Sequence, residues 1–158
     1  MRITAKLLSV LSLLLVSFTL TACISNRPEA TLDATQGVQT LAGTYTMTLT
    51  EEDIQSAKIP SFETDLGSNV GNWQFELTDD GKFTSELNGN FIAEGSYEVT
   101  GNKIQIGVTN VCNNCSCASN IGRYYWTLNR DQLVFQKIGD SCNGMVLILT
   151  TNPLIRQP

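Results

Sequence analysis

The sequence predicts an all-β domain: an eight-stranded antiparallel up-and-down barrel with one short helix after the first strand. Three observations predict it. Apolar and polar residues alternate with a period of two from Trp73 to Val108, the signature of strands with one buried and one wet face. The breaks in that run are Asp79-Asp80-Gly81, Asn88-Gly89 and Gly101-Asn102, residue pairs that supply the positive φ angles of short hairpin loops. Further alternating or apolar segments flank this meander and bring the number of strands to eight, at which a meander can close on itself and remove its edges.

Taken in order, Gly43 to Thr50 forms the first strand, with Tyr45, Met47 and Leu49 on one face and threonines on the other. Thr50-Glu51-Glu52-Asp53 offers a capping hydroxyl and acids for a first helical turn, so a short helix runs to about Lys58. Residues 60–72 form an irregular loop. Trp73, Phe75 and Leu77 give the second strand. Phe83 and Leu87 give the third, and Phe91, Ala93, Tyr97 and Val99 the fourth. Ile104, Ile106 and Val108 give the fifth. Residues 110–122 hold Cys112, Cys115 and Cys117 among asparagine, serine and glycine and read as a loop. Arg123 to Leu128 and Leu133 to Ile138 are strands six and seven. Gly139 to Gly144, with Cys142, is a loop, and the apolar stretch Met145 to Thr151 reads as strand eight, stopped by Asn152-Pro153.

Strand order fixes loop placement. If the first strand runs upward, the upper rim receives segment 51–72, Asn88-Gly89, the cysteine loop and residues 139–144. The lower end receives three tight turns, the entry at Gly43 and the exit near Arg156.

The first residues are a separate matter. Arg2 and Lys6 precede an uncharged apolar run, Leu7 to Leu20, which is too short to span a bilayer as a mature helix and the right size for an export signal. Leu20-Thr21-Ala22-Cys23 resembles the lipobox of bacterial lipoproteins. That resemblance implies cleavage before Cys23 and acylation of it, and Ile24 after the cysteine implies sorting to the outer membrane, or to the outer face of the cell membrane in a single-membrane organism. The expected divisions are residues 1–22 as signal, residues 23–39 as a polar tether beginning at the lipidated Cys23, and residues 40–158 as the barrel. A coil of about 15 residues reaches roughly 20 Å.

The full chain carries a net charge of −5. Loss of residues 1–22 removes Arg2 and Lys6 and no acid, leaving 8 basic and 15 acidic residues, a net charge of −7. Such a domain is not drawn to phosphate backbones or anionic lipid. Nucleic acid is therefore not an expected partner, and the membrane is met only through the anchor, which is strong because each buried methylene contributes about 0.8 kcal/mol. A monomer is expected.

The domain resembles a lipocalin-type (calycin) barrel. Gly43-Thr44-Tyr45 occupies the place of the Gly-x-Trp motif of that family's first strand, with Tyr for Trp, and Arg156 resembles the arginine that packs across this aromatic at the closed end. Trp73, Asp80-Gly81-Lys82, Gly95-Ser96-Tyr97, Gly122-Arg123-Tyr124-Tyr125-Trp126 and Asp140-Ser141-Cys142 are similar to small bacterial lipocalin-like lipoproteins. The resemblance covers residues 40–157. A guanidinium over Tyr45 would contribute roughly 0.5–2 kcal/mol as a cation–π contact.

The four cysteines besides Cys23 read as two disulfides in an exported domain, with three possible connectivities. Both cysteine-bearing loops lie on the upper rim, so Cys142 is within reach of the cluster. Cys117–Cys142 with Cys112–Cys115 is favoured, and Cys115–Cys142 with Cys112–Cys117 is the alternative. A zinc site of four thiolates is the competing use of the Cys-x2-Cys spacing. It is disfavoured because a second such pair is missing and the chain has 0 His, and no metal or cofactor is expected.

Without histidine the commonest base near neutral pH is absent, and Ser or Cys nucleophiles lack their usual partner. Asp79-Asp80 reads as turn chemistry, and Glu51-Glu52-Asp53 as a helix start. An enzyme is not expected. The question is whether the barrel is filled or hollow, since eight strands enclose a space that side chains can fill or one small ligand can occupy. The candidate pocket residues are Trp73, Phe75, Phe83, Phe91, Tyr97, Tyr124, Trp126 and Phe135. Ser85, Ala93 and Gly95 leave gaps on the inward rows, and Tyr124 and Trp126 also read as core. The expected function is binding of a small apolar ligand of lipid or fatty-acid type. The alternative is a filled structural or inhibitory module that meets a protein or wall component through its rim loops.

Overall fold

The computed structural model describes residues 34–57, 59, 66–113, 115 and 117–158. The expected export signal, Cys23 and the first part of the expected tether lie outside these residues. Eight strands run in order: β1 (Gly43–Leu49), β2 (Gly71–Leu77), β3 (Lys82–Leu87), β4 (Asn90–Thr100), β5 (Lys103–Val111), β6 (Ile121–Asn129), β7 (Gln132–Gly139) and β8 (Leu154–Arg156). Each pairs antiparallel with its neighbours, and β8 pairs back onto β1, so the sheet is a closed up-and-down barrel. The tight Asn88-Gly89 connection has φ 53° and 78°, the paired positive angles of a type I′ hairpin turn that matches strand twist.

Helices are more numerous than the single one expected. The expected helix is present as α2 (Glu51–Ser56). The Thr50 hydroxyl accepts from Asp53 N at 3.2 Å, and the Asp53 carboxylate accepts from Thr50 N at 2.9 Å, a reciprocal capping box. Donation to the Asp53 carboxylate from the Thr50 hydroxyl at 2.7 Å, and then from Thr50 N, holds that carboxyl below its ordinary range. A 3-10 turn follows at Leu66–Asn69.

The last apolar stretch is not a strand. Met145 to Thr151, read as strand eight, belongs mostly to α3 (Asn143–Thr150), and the eighth strand is the three-residue β8 beyond Pro153. The run is β-prone in composition, but a short apolar run cannot be assigned by periodicity when every position is apolar. A helix that is hydrophobic on all sides is one that is buried on all sides, and Val146, Leu147, Ile148 and Leu149 are all buried. Cys142 caps the start, its Sγ accepting from Met145 N at 3.3 Å. The Thr150 and Thr151 hydroxyls donate back to the Val146 and Leu147 carbonyls. β8 pairs only with Tyr45 and Thr46 of β1 and with Gln132 and Leu133 of β7. α3 therefore takes the place of the upper half of an eighth strand. Asn152 joins its lower end to β1 by donating to the Thr48 carbonyl at 3.1 Å.

The segment expected to be tether as far as residue 39 contains α1 (Ala34–Leu41). This helix is too short and polar to stand alone. It forms because the lower end of the barrel offers it a surface. Gly37 is buried so closely against β4 that a Cβ there would lie 2.3 Å from Val99 Cγ1. Leu41 is wholly buried. The Tyr45 hydroxyl donates to the Leu41 carbonyl at 2.9 Å, and the Tyr97 hydroxyl reaches the Val38 carbonyl at 3.3 Å and that of Thr78 at 2.7 Å. Arg156 closes the arrangement. Its Nη2 donates to the carbonyls of Thr40 (2.5 Å) and Ala42 (2.9 Å), groups that a helix C-terminus leaves without intrahelical partners. Its guanidinium lies 5.2 Å above the Tyr45 ring, and Gly43 lies beside it, 3.2 Å from Arg156 Nε at its Cβ position. The closed end is thus a helical plug held by Tyr45, Tyr97 and Arg156.

Candidate ligand cavity and its cysteine rim

The barrel is hollow. A cavity of about 610 Å³ lies inside it, walled by β2 to β5, by Phe135 of β7, by α3 and by the cysteine loop at the rim. That volume is within the range of small-molecule sites, about 300–1,000 Å³. Lining residues on β5 run from Ile104 to Val111, about 23 Å along the strand at about 3.3 Å per residue. The cavity is therefore deep rather than a dimple at the rim.

Of the eight candidate pocket residues, Trp73, Phe75, Phe83, Tyr97 and Phe135 line the cavity, and Phe91, Tyr124 and Trp126 do not. Phe91 fails for a reason of register. Ser85 pairs with Ala93 while Glu86 pairs with Phe91, so one extra residue, Ile92, is accommodated in β4. A bulge of this kind reverses the alternation beyond it. Ile92 comes to the cavity and Phe91 is turned out, 41% exposed. Of the expected gaps, Ser85 and Ala93 border the cavity, whereas the space beside Gly95 is taken by the Gly107 carbonyl oxygen, 2.0 Å from where a Cβ would sit.

Tyr124 is wholly buried and serves the rim instead. Its hydroxyl donates to Asp140 Oδ2. Asp140 Oδ1 accepts from Asn120 Nδ2 and from Cys142 N, each at 2.7 Å, and Ser141 Oγ donates to Asn120 Oδ1 at 2.9 Å. Burial, and then the bond to Asp140, push the Tyr124 phenol well above its ordinary value, so it remains a neutral donor. Gly122 makes the room: a Cβ there would lie 2.3 Å from Asp140 Oδ2. This explains why Gly122, Tyr124, Asp140 and Cys142 occur together. They form one polar node that sets the N-terminus of α3 against the cysteine loop. Trp126 packs lower on β6, opposite Phe135, and its indole N–H is buried without a hydrogen-bond partner among the described residues.

The disulfides are Cys112–Cys115 and Cys117–Cys142, the favoured one of the two connectivities considered. The first closes a tight ring in the loop, with Cys115 N donating to the Cys112 carbonyl at 3.0 Å. The second joins that loop to the cap of α3. All four half-cystines border the cavity mouth. Two bridges fit an oxidising compartment. Among the described residues no helix is long and apolar enough to cross a membrane.

Sequence reasoning missed the wall contributed by α3. Met145, Ile148 and Leu149 face the cavity, and their i, i+3, i+4 spacing is the helical signature. It was hidden because Val146 and Leu147 between them are apolar too.

The lining is chemically plain. Its polar groups are the Trp73 indole, Ser68 and Asn69 at the rim, Ser85 and Tyr97. Trp73 Nε1 donates to the Asn69 carbonyl at 2.9 Å, and Ser85 Oγ to the Ala93 carbonyl at 3.2 Å. Ser85 is itself buried, 4% exposed. Such a site can bind and exclude water, and among its described lining residues there is no Asp, Glu or Lys.

The chain matches no protein-family model, and none of the curated proteins or solved structures compared with it is similar to it.

Proposed function

We propose that this is an exported, lipid-anchored binding protein of lipocalin-like build that carries a small apolar ligand inside its barrel. The observation that carries the reading is the cavity of about 610 Å³ with its aromatic and aliphatic walls. A space of that size and lining gains free energy from each apolar group that leaves water, at about 25 cal/mol per Å², and offers a polar solute few groups in exchange for its water. The role is binding rather than catalysis, in keeping with a chain of 0 His and a cavity whose described lining carries no carboxylate.

The anchor reading rests on Arg2, Lys6, the run Leu7 to Leu20 and the small residues before Cys23. With α1 beginning at Ala34, residues 24–33 are what separates the acylated cysteine from the plugged end in sequence. In this reading the plugged end faces the bilayer and the cysteine rim faces away from it.

Native mass spectrometry of the purified protein, before and after delipidation, tests the binding role. The expected result is an added mass of an apolar small molecule that is stripped by delipidation and regained on exposure to an envelope lipid extract. A protein that takes up no apolar molecule under either condition refutes the reading. For the anchor, Cys23→Ser should move the protein out of the membrane fraction, and retention there would refute acylation.

A further inference from the structure

We infer that the cavity is selective for uncharged ligands, and that an anionic head group is excluded from it; this rests on the binding role proposed above. Among the described residues that line the cavity there is no Asp, Glu, Lys or Arg, so no described side chain there can neutralise a carboxylate or phosphate. The described side-chain donors in the depth of the barrel are already committed, and Ser68 and Asn69 at the rim are not without partners either. Trp73 Nε1 is bonded to the Asn69 carbonyl at 2.9 Å, the Tyr97 hydroxyl to the Thr78 carbonyl at 2.7 Å, and Ser85 Oγ to the Ala93 carbonyl at 3.2 Å. What remains to a ligand in the depth of the barrel is acceptor capacity, on the oxygens of Ser85 and Tyr97, in apolar surroundings. A buried anion without a counter-charge or donors is strongly disfavoured. A neutral chain bearing a hydroxyl group loses little, because its O–H can donate to one of those oxygens. The class is therefore a neutral alkyl or isoprenoid compound, such as a long-chain alcohol or ester, and not an ionised fatty acid.

The experiment is competition between 1-dodecanol and dodecanoate for the neutral fluorescent probe 1-aminoanthracene on the mature protein, at about pH 8 where the carboxyl is ionised. Dodecanol is expected to displace the probe with an affinity at least about tenfold above that of dodecanoate. Equal or tighter binding of dodecanoate overturns the inference while leaving apolar binding in place. Failure of the probe and both chains to bind overturns the binding role, and this inference with it. Ala93→Phe and Val108→Phe each place a ring in the cavity. Either variant, folded by circular dichroism, should lose dodecanol binding, and full retention in a folded variant overturns placement of the ligand in the barrel.

Discussion

The two disulfides close loops of very different length, and that difference gives a quantitative prediction. Cys117 and Cys142 are 25 residues apart in sequence, and Cys112 and Cys115 are 3 apart. If a bridge acts by restricting the unfolded chain, with an entropy of about −2.1 − 1.5R ln n cal/mol/K, the long bridge contributes about 3.5 kcal/mol at 25 °C and the short one about 1.6 kcal/mol. Serine is the substitution of choice at 142, because Cys142 Sγ caps α3 by accepting from Met145 N and a serine hydroxyl can do the same. The Cys117→Ser/Cys142→Ser variant then reports the cross-link and little else. Urea unfolding should show it less stable than the parent by about 3.5 kcal/mol, with a melting temperature lower by about 10 °C. The Cys112→Ser/Cys115→Ser variant should lose less than half as much. If the short bridge proves as costly to remove as the long one, the loop-closure account fails, and the rim must be held by native contacts within residues 112–120.

Two further outcomes follow from the plugged end. Gly37→Ala in α1 should lower stability by about 1–3 kcal/mol, although alanine in an ordinary helix is favoured over glycine by about 1 kcal/mol, because its methyl group would overlap Val99; truncation to Val99→Ala in the same chain should recover part of the loss in thermal melts, and a neutral or stabilising Gly37→Ala would show that α1 does not pack there. Burial pushes the Tyr97 phenol from 10.0 up to about 12. Its folded value is thus above its unfolded one, so its contribution is fully present below about pH 10 and fades as pH rises towards about 12. Urea midpoints should fall over that window, and Tyr97→Phe should flatten the fall, while an unchanged slope would remove Tyr97 as a cause.

Most of the barrel was legible in the sequence, because a strand with one wet face writes its own period of two. Trp73, Phe75 and Leu77 could face only one way once Gln74, Glu76 and Thr78 faced the other. The turn pairs fixed strand order, and strand order placed every long loop, and with them all four cysteines, at one rim. Those inferences need only local chemistry and the rule that buried edges must pair.

The candidate site was less legible, and for particular reasons. The exchange of Phe91 for Ile92 at the cavity wall follows from one extra residue in β4, and a bulge leaves no trace in composition. Tyr124 looked like pocket or core, but its hydroxyl belongs to the Asp140 node, a partner 16 residues away. α1 is a polar segment whose helicity depends on the surface that Val99, Tyr97 and Arg156 present to it.

The sequence alone determined the closed antiparallel sheet, its tightly turned and loop-rich ends and the placement of the cysteines on one rim, because period, turn residues and spacing are properties of the chain. Tertiary structure alone decided that Met145 to Thr150 is a helix and that the barrel is hollow. A run that is apolar at every position takes whichever conformation its burial site permits. An interior volume is the difference between a backbone envelope and the side chains that fail to fill it, and no single residue carries that difference.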